Sequence, residues 1–218
     1  MAVICLDWES SHAHGSVWIS QHRFRYSVFV DRMGWNLPHF NGMEFDQFDT
    51  PAAKYIVCVD EDGTVRGVTR LLPTTLPYML KELWPELVGR FEESERIWEA
   101  TRFGVDRSIG RVAHLRVVHE LIAACQEFGL RNGIEYYLCV MPVAILRRVI
   151  EKSGCTTESL GPPATVGRHR VVAAKIEVSR QALERVKQSG GIRLPVLQNT
   201  HPMVPKLRPT IGETLTFE

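Results

Sequence analysis

Apolar positions along the chain switch between a period of two and a period near 3.6, which predicts an interleaved set of strands and helices. Ala2–Leu6 is a short apolar run of strand type. From Ser16 to Met33, Val17, Trp18, Phe24, Val28, Phe29, Val30 and Met33 recur at helical spacing with Arg23, Arg25 and Arg32 between them, and Gly34 closes the helix. Tyr55–Val59, the turn Asp60–Gly63 and Val65–Leu72 predict a β-hairpin, with Arg70 placed by alternation on the face opposite Val65. Pro73 to Pro77 end that strand, and Tyr78–Val88 reads as one or two short helices with Leu80, Leu83, Trp84 and Leu87 facing inward. Arg96–Val105 alternates as a strand: Ile97, Glu99, Thr101 and Phe103 on one side, Trp98, Ala100, Arg102 and Gly104 on the other. Val112–Phe128 is a helix, Ile134–Met141 a strand, Val143–Lys152 a helix stopped by Gly154, and Cys155–Ser159 a short strand. Arg170–Val178 is a further strand, after which Ser179 caps a helix running to Lys187. The hairpin excludes a purely parallel sheet, so the pattern predicts a mixed-sheet α/β or α+β domain with helices on both faces. One domain over residues 1–190 is expected, followed by a tail at 191–218 that holds Pro195, Pro202, Pro205 and Pro209 and reads as extended or loosely packed.

Composition narrows the class without changing that picture. At 218 residues, 44% hydrophobic and 23% charged, the chain has the makeup of a globular protein with a full core. A formal net charge of +1 argues against a protein whose main task is to bind nucleic acid. Cys5, Cys58, Cys125, Cys139 and Cys155 are scattered, never in a C-x-x-C pair, which disfavours a disulfide framework and a zinc site and fits a reducing cytoplasm. The N-terminal residues have acids where a signal peptide carries a basic region, and no apolar run reaches the length of a membrane span. His12 and His14 have no third ligand at metal spacing, so no metal site is expected.

Four stretches carry candidate chemistry. In Asn41–Pro51, Glu44, Asp46 and Asp49 alternate with Phe45 and Phe48 and no lysine intervenes. Two readings fit: a walled pocket for a cation or a nearby arginine, and a turn whose acids cap local backbone. Glu99 and Arg102 lie on a strand that otherwise looks buried, where charge is either paired or used. Arg107–Gly110 connects a strand to a long helix and could hold an anion; it resembles a truncated pyrophosphate loop of the N-acetyltransferase superfamily, with Val112 where a second small residue is expected. Arg147, Arg148 and Lys152 gather on one short helix, either as a solvated face or as a dock for an acidic partner.

Arg25 to Trp35 (RYSVFVDRMGW), Gly42 to Asp49 (GMEFDQFD), Arg70 to Thr75 (RLLPTT) and Trp98 to Phe103 (WEATRF) together resemble, in order and spacing, the signature of the acyl-homoserine-lactone synthases, the LuxI-type autoinducer synthase family. The resemblance implies an N-acetyltransferase-like mixed sheet with a V-shaped cleft. It implies an enzyme that acylates the amine of S-adenosylmethionine from an acyl thioester, carried on acyl carrier protein by preference or on coenzyme A, and then closes the lactone with release of methylthioadenosine. No metal or redox cofactor is implied.

By the same resemblance Arg25, Phe29, Trp35, Asp46, Asp49, Arg70, Thr101 and Phe103 belong to the S-adenosylmethionine region. Asp46 and Asp49 are expected to complement the sulfonium or amine, with one of them holding Arg25 or Arg70 instead. Glu99 is the expected general base, Arg102 organises the cleft, and the main chain at Thr101 to Phe103 offers oxyanion hydrogen bonds. Leu121, Ile122, Val140, Val143, Leu146, Val149 and Ile150 are the expected acyl-pocket walls. Val140 stands where members that prefer 3-oxo chains carry Thr, so unsubstituted chains are expected. Arg147, Arg148 and Lys152 become the expected carrier-protein dock. Trp84 stands where the family usually has Phe.

Overall fold

The computed structural model of the chain describes residues 1–88 and 93–198; the expectations for Pro202, Pro205 and Pro209 lie outside them. Strands β1 (Ala2–Leu6), β4 (Lys54–Val59), β5 (Val65–Pro73), β6 (Ile97–Val105), β7 (Tyr136–Pro142), β8 (Thr157–Ser159), β9 (Ala164–Val166), β10 (His169–Glu177) and β11 (Leu197–Gln198) form one mixed sheet. Its order is β11-β1-β4-β5-β6-β7-β10-β8, with β9 also paired to β10. A separate hairpin joins β2 (His39–Phe40) to β3 (Met43–Glu44). Helices α1 (Gly15–Arg25, continued by a π-helical segment, Tyr26–Arg32) and α2 (Met79–Leu83) cover one face. The other carries α3 (Arg111–Arg131), α4 (Val143–Ile145, continued as a π-helical segment, Leu146–Glu151) and α5 (Arg180–Gly190). Both faces of the sheet are therefore core, as the hydrophobic runs of β4 and β5 require. Among the described residues no helix is long and apolar enough to cross a membrane.

Glycines mark where helices approach the sheet. A Cβ on Gly67 would lie 2.7 Å from Leu121 and 2.8 Å from Val117 on α3, and one on Gly104 would lie 3.2 Å from Val28 on the other side. Ser179 caps α5, its Oγ accepting from the Ala182 N–H at 3.0 Å.

Two irregularities change which way side chains point. Between β5 and β6 the register slips, because Val68 opposes Gly104 whereas Arg70 opposes Thr101. The extra residue lies on β6, where Arg102 has φ +55°, a left-handed conformation costly for a residue with a Cβ. Strict alternation would set Arg102 opposite Glu99; the bulge instead turns Thr101 and Arg102 both toward the α1 and α2 face, while Phe103 packs on the α3 core. Between β4 and β5 a second slip skips Arg66, so Val65 and Arg70 share a face rather than opposing each other, and Arg70 lies over the Phe48 ring of the same core cluster as Val65.

The third feature is a splay. β6 and β7 run parallel and pair only at Ile97, Trp98 and Glu99 against Tyr136, Tyr137 and Leu138. Beyond Glu99 the two strands separate, while β7 stays paired with β10 as far as Pro142. This opens the sheet into a V. The boundary expected at 190 does not end the sheet, because β11 pairs in parallel with β1 and Glu127 of α3 accepts the N–H groups of Val196 and Leu197.

Candidate active site

The hairpin β2–β3 turns at Asn41 and Gly42, both at positive φ, and delivers Glu44 inward, fully buried. Glu44 then meets Arg25, which α1 presents on its buried face, and Arg102, which the β6 bulge has turned to the same side. Arg25 Nε donates to Glu44 Oε2 at 2.5 Å, and its NH1 and NH2 form a fork with Asp49 at 2.7 and 2.8 Å. Arg70 NH1 donates to Asp46 at 2.6 Å and Asp49 at 2.9 Å, its NH2 to Asp46 at 3.2 Å, and its Nε to the Thr101 hydroxyl at 3.1 Å. Arg102 donates through Nε and NH2 to Glu44 at 3.1 and 3.0 Å and through NH2 to Asp46 at 2.6 Å. Three guanidinium groups thus face three carboxylates in a neutral, interlocked cluster.

Aromatic rings close it in. Arg25 lies over Tyr55, Arg70 over Phe48 and Arg102 over Phe29, and Phe29 stacks on Trp35 with centroids 5.3 Å apart. Burial works to raise the Asp49 carboxyl, but the hydrogen bonds and charge of Arg25, with Arg70 and the Tyr55 hydroxyl, hold it far below the usual carboxylate range. Burial beside Asp49 pushes the Tyr55 phenol upward.

Both aspartates are committed to the protein itself. Asp46 accepts from Arg70 twice, from Arg102 and from the Phe48 N–H (2.9 Å), which fills its four lone-pair sites. Asp49 accepts from Arg25 twice, from Arg70, from Tyr55 and from the Asp46 N–H. Both hold arginines, as was expected of one of them, and of the pair it is Asp46 that borders the open cleft.

Glu99 stands apart from the cluster, at the last residue pair before the splay. Its oxygens accept the first two amides of α2, Met79 N–H at 2.9 Å and Leu80 N–H at 2.6 Å. Burial is the larger influence on its carboxyl and, opposed by those amides and by Arg70 and Arg102, pushes it up to about 7. A carboxyl poised there can hold or release a proton at neutral pH.

The cleft between the splayed strands has a volume of about 620 Å³. Arg102, Val140 and Met141 come from the strands, Trp35 from the end of the first helix, Phe48 from the acidic loop, and Met79, Leu83 and Trp84 from α2 and its end. Leu83, expected to face the core, is 46% exposed and lines this cleft instead. On the far side Arg168, in the turn after β9, and His169, at the start of β10, border it.

Of the residues predicted from sequence, Arg25, Phe29, Trp35, Asp46, Asp49, Arg70, Thr101 and Arg102 come together around one side of the cleft, and Glu99 lies behind α2. Phe103 does not join them: its ring belongs to the α3 core, so only its main chain is on offer to the cleft. Val140 lines the cleft. Leu121, Ile122, Leu146 and Ile150 are buried in the core cluster under α3, with Val143 and Val149 packed against it. Arg147, Arg148 and Lys152 are exposed on α4 and its end. Sequence reasoning singled out Glu44 and Phe48 in the loop without assigning either a role in the site, and it left out Tyr55 and Met79. The Asn41–Gly42 turn was the available signal for Glu44, because it fixes which side of the hairpin points inward.

Splayed strands, a bulge at the cleft and helices on both faces place the chain in the N-acetyltransferase-like fold class. A Lactobacillus plantarum protein assigned as an N-acetyltransferase shares this fold, with a TM-score of 0.54 at 14% identity over 82% of this chain and 100% of that one. Within that class the chain belongs to the autoinducer synthase family, whose model matches residues 11–186. An acyl-homoserine-lactone synthase of Acinetobacter nosocomialis is 34% identical over 163 residues, 71% of this chain and 88% of that one. The solved structure of a CoA-dependent acyl-homoserine lactone synthase, BjaI, with SAM and isopentyl-CoA, superposes with a TM-score of 0.82 at 29% identity, covering 90% of this chain and 92% of that one.

Proposed function

We propose that this protein makes an acyl-homoserine lactone from S-adenosylmethionine and an acyl thioester. The observation that carries the reading is the junction of the splay: a carboxyl held near neutrality at Glu99 beside a cleft walled by Trp35, Phe48 and a pinned Arg102. In the first step the substrate amine attacks the thioester carbonyl. An N–C bond forms, the C–S bond breaks and the thiolate departs, while Glu99, which does not border the cleft, takes the amine proton through a bridging water. In the second, a carboxylate oxygen attacks the methylene beside the sulfonium, and methylthioadenosine leaves with the electron pair. The sulfonium makes this leaving group intrinsically good, so the protein's task is to orient the carboxylate. Incubating the purified protein with S-adenosylmethionine and a panel of donors, then following lactone and methylthioadenosine by mass spectrometry, tests it. Release of neither product from any donor sinks the reading.

Acyl carrier protein is the donor we propose as preferred, because exposed Arg147 and Arg148 on α4, with Lys152 at its end, suit an acidic helix. A second reading, acyl-CoA as donor, is favoured by the similarity to a CoA-dependent synthase. Charge reversal separates them. Arg148→Glu is expected to lower kcat/KM for carrier-protein donors about tenfold more than for CoA esters, through one lost and one repulsive contact; equal effects on both donors would refute the dock.

Val140 borders the cleft with a side chain that cannot hydrogen-bond. Chains unsubstituted at C3 are therefore the proposed substrates. Val140→Thr is expected to raise the preference for 3-oxo donors about tenfold, the order of one buried hydrogen bond. An unchanged ratio in competition assays removes Val140 from the selectivity role.

A further inference from the structure

With Asp46 and Asp49 saturated and Glu44 accepting three bonds, the three arginines differ in what they have left to give. Arg25 and Arg70 place every guanidinium nitrogen against oxygen. Arg102 does so with Nε and NH2, but its NH1 donates to the thioether sulfur of Met79 at 3.4 Å. A thioether is a weak acceptor, so this bond can be displaced by an oxygen anion. Charge-assisted bonds from guanidinium to carboxylate are roughly twice as strong as neutral ones. Both partners are buried and border the cleft.

The backbone of Met79 is held by the same site. Its N–H donates to Glu99, together with that of Leu80, so α2 is fixed at its first turn, and the long unbranched side chain, buried in the core on that face, reaches the cleft. Met79 thus bridges the two residues on which the chemistry depends, Glu99 through its backbone and Arg102 through its sulfur.

We infer that Met79 is a placeholder acceptor, which occupies the NH1 edge of Arg102 in the empty enzyme and yields it to the carboxylate of the amino-acid substrate. The identity of that carboxylate rests on the synthase reading. The acids beside Arg102 cannot take the edge over, because Asp46 has no lone pair to spare and Glu44 already accepts from Nε and NH2. Trp35, Phe48 and Trp84 line the same cleft and limit the competition from water. The carboxylate would thereby be fixed at the cluster, at the position from which it later closes the ring. Met79 is in these terms a positioning residue and Arg102 the group that touches substrate.

Met79→Leu tests this, since it keeps the volume and removes the acceptor. In the free variant Arg102 NH1 has lost its acceptor, whereas in the complex it has the substrate carboxylate. Calorimetry is expected to show S-adenosylmethionine binding about threefold to tenfold more tightly than to the wild type, the range of one hydrogen bond. The variant should melt at a lower temperature at the same time. Methylthioadenosine, which has no carboxylate, is expected to bind both proteins alike. Met79→Gln, whose amide oxygen is a better acceptor, should move S-adenosylmethionine binding in the opposite direction and again leave methylthioadenosine unaffected, so the inference does not depend on one variant folding. A purely structural Met79 predicts weaker binding of both ligands in both variants. That outcome, equal changes for the two ligands, or no binding of S-adenosylmethionine to the wild type overturns the inference. If the binding differences appear but the wild type makes no lactone, the synthase reading fails alone.

Discussion

Replacing Glu99 by Gln is expected to cut lactone formation by about 10²- to 10⁴-fold, the usual contribution of a positioned general base, while S-adenosylmethionine binding changes by less than about threefold. The split follows from position. Glu99 is fully buried behind Met79 and Leu80 and does not border the cleft, so substrate binding does not depend on its charge. Each of its oxygens accepts one amide, which leaves a lone pair for a proton. With the carboxyl near 7, the wild-type rate should rise as pH increases through neutrality and then level off, since the base form is needed. Stability should move the other way. The folded protein holds this proton above the ordinary glutamate range, so between roughly pH 4.3 and 7 folding binds more protons than the unfolded chain and is weakened as pH rises. Glu99→Gln mimics the protonated form. Its melting temperature relative to wild type should therefore increase between pH 5 and 8, and a gap that stays constant, or turnover within tenfold of wild type, removes Glu99 from this role.

Much of this site could be read from the order of residues, and what could not has definite causes. The hairpin β4–β5, the long helix α3 and the cap at Ser179 follow from local pattern and turn chemistry, which tertiary packing did not override. The four motifs located Arg25, Asp46, Arg70 and Arg102 and implied an aspartate–arginine pair, but left open which acid holds which arginine, because the partners are 19 to 58 residues apart and contact depends on topology. The bulges were invisible for a different reason. In β5 and β6 both faces are buried, so the hydrophobic pattern hardly distinguishes one register from the next, and one extra residue reverses every later side chain. That single residue sent Phe103 into the core and brought Arg102 beside Glu44. The β2–β3 hairpin was missed because each strand is two residues long, below the length at which alternation carries information. The buried side of the first helix also departs from the pattern: it hides Gln21 and Arg25, which a search for apolar stripes counts as exposed.

The cluster's demands on folding are largest at Arg70. Arg70→Met is expected to destabilise the protein by about 3–5 kcal/mol, the cost of leaving a buried charge without its partner. Arg70 is fully buried, and its removal takes two hydrogen bonds from Asp46 and one from Asp49, leaving three acids against two guanidinium groups. The methionine stem can still lie on Phe48, so little of the loss is packing. Arg70→Lys is expected to rescue poorly, because one ammonium cannot reproduce the fork that bridges Asp46, Asp49 and Thr101. If uncompensated charge is the main cost, Arg70→Met with Asp46→Asn should be more stable than Arg70→Met alone, by an interaction of about 0.5–3 kcal/mol. Denaturant unfolding of the wild type, Arg70→Met, Asp46→Asn and the double variant measures each term. An Arg70→Met variant within about 0.5 kcal/mol of wild type, the range of an ordinary surface substitution, would mean that the cluster serves substrate binding and not the fold.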